Sequence, residues 1–256
     1  MSVLFGEMTR EQIRRVAPDS IAVLPTAAIE QHGPHLPVFT DSLMCELIAR
    51  KAAEKAADRA SVVVAPILFF GNSHHHFPFP GVMSLQSHNF MATVTDALEG
   101  LVKSGFRKVV VLNGHGGNSN PVNVVGQDLV NRLGNPVACA AGDYWNIARP
   151  ALLEKNVMAS GLIPGHAGRF ETSLVLGVRP DLVDQEAIAD MGNETQENTG
   201  LDVGLSGAMV QVHGEWQAGL GYTDNPADAS PEEGKAMLEI ITDSVATFYA
   251  AFSNQG

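Results

Sequence analysis

The sequence predicts an α/β domain built around a mostly parallel sheet. β-branched apolar runs near residues 21–24, 61–68 and 108–112 alternate with Ala-, Leu- and Glu-rich segments whose apolar residues fall at helical spacing. Strand–turn–helix alternation of this kind predicts parallel strands covered by helices. The loops after these runs are rich in Gly, Pro, His, Asp and Glu, so functional groups are expected at the carboxyl ends of the strands. At 256 residues, the chain is read as a single domain over 1–256.

Residues 8–16 read as a short helix, with Thr9 as N-cap and Glu11 and Gln12 near its first turn. Ile21 to Leu24 is the first strand, running into a polar loop. From Ser42 to Ala60 the spacing of Leu43, Leu47, Ile48 and Ala52 predicts a helix. Ser61 to Leu68 is a buried strand. The Gly/Pro-rich loop 71–81 carries His74, His75 and His76. In extended chain neighbouring side chains point to opposite faces, so one of the three is expected to line a pocket rather than all three to ligate one ion. A helix over 88–104 presents Phe90, Val94, Leu98 and Leu101 as one stripe and ends at Gly105. Lys108 to Leu112 is a strand, followed by the turn Asn113–Asn118 and a helix over 121–133. A further strand covers 137–141, and Asp143, Tyr144 and Trp145 follow it. A helix begins near Phe170. Residues 181–229 show no periodicity and are the expected place for oligomer contacts or a lid. Ser230-Pro231-Glu232-Glu233 is a capping box opening a final helix to about Phe252.

The formal net charge of −12 disfavours nucleic acid or an anionic membrane as the main partner. The only cysteines, Cys45 and Cys139, are too few for a disulfide framework and read as buried free thiols. No apolar run approaches the ~18 residues that span a bilayer. The N-terminus has Glu7, Arg10 and Glu11 and no signal-peptide core, so a soluble cytoplasmic protein is expected.

Residues Glu30 to Asp41 read Glu-Gln-His-Gly-Pro-His-Leu-Pro-Val-Phe-Thr-Asp. Glu30 and His32 share a face in extended chain, and Asp41 can fold back toward them across a turn containing Gly33, Pro34 and Pro37. Carboxylates and imidazole together suit Zn, Mn or Fe. A solvated loop, with Asp41 as the N-cap of the following helix, is the alternative. His115 and the pair His166/Glu171 lie in two further loops of the same kind, so Glu30, His32, Asp41, His115 and Glu171 could serve two ions.

At these residues the sequence resembles the creatininase family. The resemblance rests on the Glu30–Asp41 block, Phe79-Pro80-Gly81, Asn113-Gly-His-Gly-Gly-Asn118 and His166-Ala-Gly-x-x-Glu-Thr-Ser173, four blocks in order over most of the chain. The resemblance implies a three-layer α/β/α fold and two divalent transition-metal ions per chain, zinc first with manganese or iron as alternatives. It also implies hydrolysis of a C–N amide bond, often in a ring, and a homo-oligomer, often a hexamer. Carried over by position, Glu30 and His115 hold one ion, His32 the other, and Asp41 bridges them. Glu171 completes the second ion's shell. True creatininases follow the metal-binding His with an aromatic residue and then a Glu that ligates the second metal. Here those positions are Gly116 and Gly117, as in relatives that open formamide or other amides. Arg169 stands where many relatives place an acid, and could meet an anionic substrate group or pair with a carboxylate.

The expected reaction is hydrolysis of a small cyclic amide or formamide by a hydroxide that the metal pair activates. Glu171 and His166 are the candidate catalytic residues, His166 as proton donor to the leaving nitrogen or as oxyanion stabiliser. His35 is expected behind the ligands rather than among them. Two rival classes remain open: a metal-binding or ligand-sensing protein of the same fold without turnover, and an α/β protein using the 113–118 turn for phosphate.

Overall fold

The structure, a computed structural model, describes residues 3–158, 162–191 and 212–255. Its strands are β1 (Ile21–Thr26), β2 (Val62–Val64), β3 (Lys108–Asn113) and β4 (Ala138–Asp143). They form one parallel sheet in the order β2-β1-β3-β4. The helices among the described residues are α1 (Arg10–Val16), α2 (Thr40–Ala56), α3 (Ser87–Lys103), α4 (Ser119–Gln127) and α5 (Tyr144–Glu154). After them come α6 (Arg169–Val178), α7 (Gln185–Met191), α8 (Glu215–Ala218) and α9 (Pro231–Ser253).

Alternation along the strands divides the interior into two layers. Ile21, Val23, Val62, Val64, Val110 and Leu112 pack toward α2, α5, α6 and α9. Ala22, Leu24, Val63, Val109 and Val111 pack toward α3 and α4. Both faces of the central strands are therefore covered, which is why they read as continuous apolar runs. The result is the expected α/β/α architecture. Two glycines set the packing of its helical layer: a Cβ on Gly234 of α9 would stand 1.7 Å from the Ser173 carbonyl oxygen of α6, and one on Gly177 of α6 would stand 2.9 Å from the Lys235 nitrogen.

Most predicted elements form close to their expected bounds. Thr9 makes a reciprocal capping box with Gln12, and the stripe on α3 is buried. β2 is shorter than the run 61–68, because Pro66 has no N–H to give the ladder; pairing resumes at the bridge between Thr26 and Leu68. The helix after β3 starts at Ser119 and ends in a wider π-type turn over Asp128–Arg132. Helix α5 falls where the sequence reading assigned no element, and it carries Pro150 in its interior. Ser230 caps α9, but the Glu233 carboxylate accepts hydrogen bonds from Arg169 at 2.9 and 3.0 Å. Arg169 thus resolves to the pairing alternative. Within 181–229, α7 and α8 form, and residues 192–211 lie outside the described residues. Cys45 is buried as expected, whereas Cys139 is only half-buried.

Candidate metal centre

The loop after β1 is shaped by Gly33 (φ +62°), a left-handed conformation that a side chain would strain. The Leu36 N–H donates to the His32 carbonyl at 3.4 Å, and the Glu30 N–H donates to the Val38 carbonyl at 3.1 Å. This fold-back delivers Asp41 to the first turn of α2. The N-cap position is Phe39, and no side chain caps the helix there. The N-cap reading of Asp41 is therefore corrected: its carboxylate is inside the helix and free to face the loop.

Below the site, the ends of three strands are tied by a polar ladder. Thr26 Oγ1 donates to Asn113 Oδ1 at 3.3 Å, and Asn113 Nδ2 donates to Asp143 Oδ1 at 2.7 Å. Asp143 also accepts from Ser119 and Asn146. Of the segment 143–145, which follows β4, Asp143 is spent on this ladder and Tyr144 lies in the core. Trp145 alone lines the cavity.

Glu30, His32, Asp41, His115 and Glu171 converge and are all buried. His32 Nε2 lies 3.1 Å from Asp41 Oδ1 and 3.6 Å from Glu171 Oε2. His115 Nδ1 lies 3.0 Å from Asp41 Oδ2 and 3.3 Å from Glu30 Oε1. The two oxygens of Asp41 thus face two different groups of donors. Glu30, His32 and His115 follow strands, whereas Glu171 comes from the first turn of α6.

Backbone contacts fix the imidazoles. His32 Nδ1 donates to the Glu30 carbonyl at 3.1 Å, His115 Nε2 to the Asn72 carbonyl at 2.9 Å, and His166 Nε2 to the Gln31 carbonyl at 2.9 Å. Each ring then turns its other nitrogen toward the carboxylates, the arrangement metal-binding histidines adopt. Glu30 Oε2 accepts from the Ser73 hydroxyl at 2.5 Å, and Glu171 Oε2 accepts from the Ala167 N–H at 2.6 Å.

The charges ask for cations. Burial by itself would lower the pKa of His32, but Asp41 and Glu171 override it and hold His32 well above the imidazole range. Burial likewise acts against His115, and Glu30 and Asp41 raise it well above that range. Burial pushes Glu171 up. Glu30 is buried too, yet His115, His76 and His166 hold it well below the carboxylate range. Buried Asp41 Oδ2 has no hydrogen-bond partner although His115 Nδ1 is near. With the His115 proton on Nε2, two lone pairs confront each other, and a proton or cation must lie between them. Carboxylate and imidazole atoms within 3.0–3.6 Å of one another fit the transition ions implied by the sequence. Among the described residues, three groups have possible ligand atoms all within 4.8 Å of one another: His32/Asp41/Glu171, Glu30/His75/His115 and Glu30/His32/His166.

His75 and His76 were missed as a pair. Residues 74–76 form a 3₁₀ turn rather than extended chain, so His75 and His76 both turn inward while His74 stays exposed. His76 Nε2 lies 3.4 Å from Glu30 Oε1. Its ring stacks on His166 at 4.3 Å, and Trp216 of α8 packs edge-on against both. Of the two aromatic residues of this loop, Phe77 is exposed and Phe79 lines a neighbouring cavity. His35 stands behind these carboxylates and imidazoles, 2.8 Å from the Thr172 hydroxyl, with its pKa lowered to about 4 by burial and by His32. Above the carboxylates opens a cavity of about 800 Å³, which includes Trp145, Arg149, His166 and Trp216 in its lining. That volume suits a small molecule.

A family model described as creatininase (creatinine amidohydrolase) matches residues 6–249. Creatinine amidohydrolase of Pseudomonas putida is 33% identical over 260 residues, covering 96% of this chain and 95% of that protein. Mycofactocin precursor peptide peptidase of Mycolicibacterium smegmatis is 28% identical, covering 91% and 85%. A crystal structure of creatinine amidohydrolase (creatininase) matches with a TM-score of 0.82 at 25% identity, covering 100% of this chain and 99% of that one. A mutant creatininase of Zn-Zn type matches at 0.78 and 26%, covering 97% of each chain.

Proposed function

The chain belongs to the creatininase family of metal-dependent amidohydrolases, and we propose that it hydrolyses the C–N bond of a small cyclic amide or formamide at a two-metal centre. Glu30 and His115 would hold one ion, His32 and Glu171 the other, and Asp41 both. The observation that carries this reading is the divided carboxylate of Asp41, with Oδ1 at 3.1 Å from His32 and Oδ2 at 3.0 Å from His115. When bound, the metal pair supplies Lewis acidity and lowers the pKa of a coordinated water.

The chain's own residues supply the proton path and the walls. Burial, then His32 and His76, push the His166 pKa well below the imidazole range, so the ring is neutral near pH 7. Its Nε2–H is held by the Gln31 carbonyl, which leaves Nδ1 as an acceptor on the carboxylate side, 3.5 Å from Glu30 Oε1. His166 therefore accepts the proton of the attacking water at Nδ1 and returns it to the leaving nitrogen as the C–N bond breaks. Glu171, anchored by the Ala167 N–H, keeps its carboxylate beside His32. The His76, His166 and Trp216 rings offer flat faces to a planar substrate. A Cβ at Gly116 would meet nothing within 4 Å, so the lack of an aromatic side chain there leaves cavity space that creatininase itself fills. Creatinine is accordingly a poor substrate on this reading.

The same reading takes the protein as a cytoplasmic homo-oligomer, with a hexamer as the expected assembly. No helix among the described residues is long and apolar enough to cross a membrane. The test is a panel of formamides, cyclic amides and creatinine, assayed on protein reconstituted with Zn or Mn and analysed for metal. Two ions per chain and chelator-sensitive hydrolysis of a cyclic amide or formamide are expected. Creatinine turnover with kcat/KM above roughly 10⁴ M⁻¹s⁻¹, the low end for natural enzymes, would overturn the substrate assignment. Two bound ions without hydrolysis of any amide would favour a metal-binding protein without turnover.

A further inference from the structure

Adjacent glycines in the turn after β3 differ in what surrounds them. Gly116 faces open space. A Cβ at Gly117 would stand 2.2 Å from the Asn72 carbonyl oxygen, 2.5 Å from His115 Nε2 and 3.2 Å from His75 Cε1. Backbone cannot yield as a flexible side chain does, so position 117 cannot carry a ligand in this fold. The ring that closes on this position is that of His75. It lies nearly parallel to His115, with an interplanar angle of 9° and centroids 5.8 Å apart. The ligand atoms of Glu30, His75 and His115 fall within 4.8 Å of one another.

Resting on the two-metal reading above, we propose that His75 is a ligand of the ion held by Glu30 and His115, its ring standing where a side chain at 117 would have to go. The 3₁₀ turn at 74–76 is the device that aims it, since this turn brings His75 inward beside His76. The ion at Glu30 is then held by four side chains (Glu30, Asp41, His75 and His115), whereas the ion at His32 is held by three. More protein ligands make the first site the tighter one, and the second keeps a position for water or substrate.

The test is metal binding, read without any substrate. Wild-type protein and the variants His75→Ala, His75→Glu and His74→Ala are stripped and titrated with Zn²⁺ alone in a competing chelator. Co²⁺-substituted samples are compared by visible absorption, and circular dichroism reports folding. In His75→Ala one of the two ions should bind about tenfold to a hundredfold more weakly or worse, the loss seen even when residues that merely support a ligand are removed. The other ion should bind as in wild type. His75→Glu should recover much of the loss and shift the Co²⁺ spectrum, because a carboxylate can ligate where alanine cannot. His74 is exposed, and its alanine variant should behave as wild type. Two ions held as tightly in His75→Ala as in wild type would overturn the proposal, as would a His75→Glu variant no better than alanine. A wild-type protein that binds fewer than two ions would instead sink the two-metal reading itself, an outcome visible before any variant is made.

Discussion

Asp41 directs one carboxylate oxygen at His32 and the other at His115, so Asp41→Ala should lose both ions, while His32→Ala weakens chiefly one. A capping aspartate would cost about 1 kcal/mol of stability and leave the metal content alone. Elemental analysis of folded variants separates the two roles, and full occupancy in Asp41→Ala would remove the bridge. The imidazoles make a second forecast. His32 and His115 are raised in the folded protein. Their contribution to stability is complete below the ordinary imidazole pKa and is lost as pH rises through the raised values. His76, lowered to about 3 by burial, and His35, lowered to about 4, act in the opposite sense: their contribution is complete above the ordinary imidazole pKa and is lost as pH falls below it. The metal-free protein should therefore show a maximum in Tm near neutral pH. Zn²⁺ should flatten the alkaline side, since cations then replace the two protons. An unchanged alkaline slope on Zn²⁺ addition would count against that account.

Helices α6 and α9 approach through Gly177 and Gly234, and α6 carries Glu171. Gly234→Ala would drive a methyl group into the Ser173 carbonyl. It should destabilise by about 1–3 kcal/mol or more, as overpacking does, and should also displace Glu171, measurable as weaker metal binding. Gly100 on α3 is the contrasting case, exposed and with nothing within 4 Å of a Cβ. Gly100→Ala should stabilise by roughly 0.5–1 kcal/mol, because a helix-interior glycine loses backbone entropy without compensation. Chemical denaturation of the two variants tests opposite signs on the same substitution.

For the whole molecule, the exposed apolar side chains near the loop after β1 bear on assembly. Val38, Phe39 and Phe69 are 40%, 37% and 37% exposed, and the two phenylalanine rings lie 6.3 Å apart. A local group of large apolar side chains in contact with water favours a subunit interface. If the expected homo-oligomer forms through it, Phe39→Lys with Phe69→Lys should yield a smaller species by light scattering, with the helical content retained. An unchanged mass would move the interface elsewhere.

Much of the fold was legible because its signals are local. Val- and Ile-rich runs, the stripe on α3, the capping residues Thr9 and Ser230 and the breaking glycines need no partner to be read. The candidate ligand types were legible for the same reason: Glu30, His32, Asp41, His115 and Glu171 stand in polar loops beside apolar runs. What depended on tertiary structure was direction. Asp41 could be a cap or a bridge until the turn at Gly33 placed it inside α2 with both oxygens toward histidines. Arg169 could face a substrate until Glu233, 64 residues on, claimed it. Asp143 was drawn under the sheet by Asn113, 30 residues earlier in the chain. Three consecutive histidines diverge in extended chain, but a 3₁₀ turn aims His75 and His76 at one carboxylate cluster. Residue type and spacing determine which chemistry the chain can carry; where each side chain points depends on contacts between segments far apart in sequence, which no local pattern encodes.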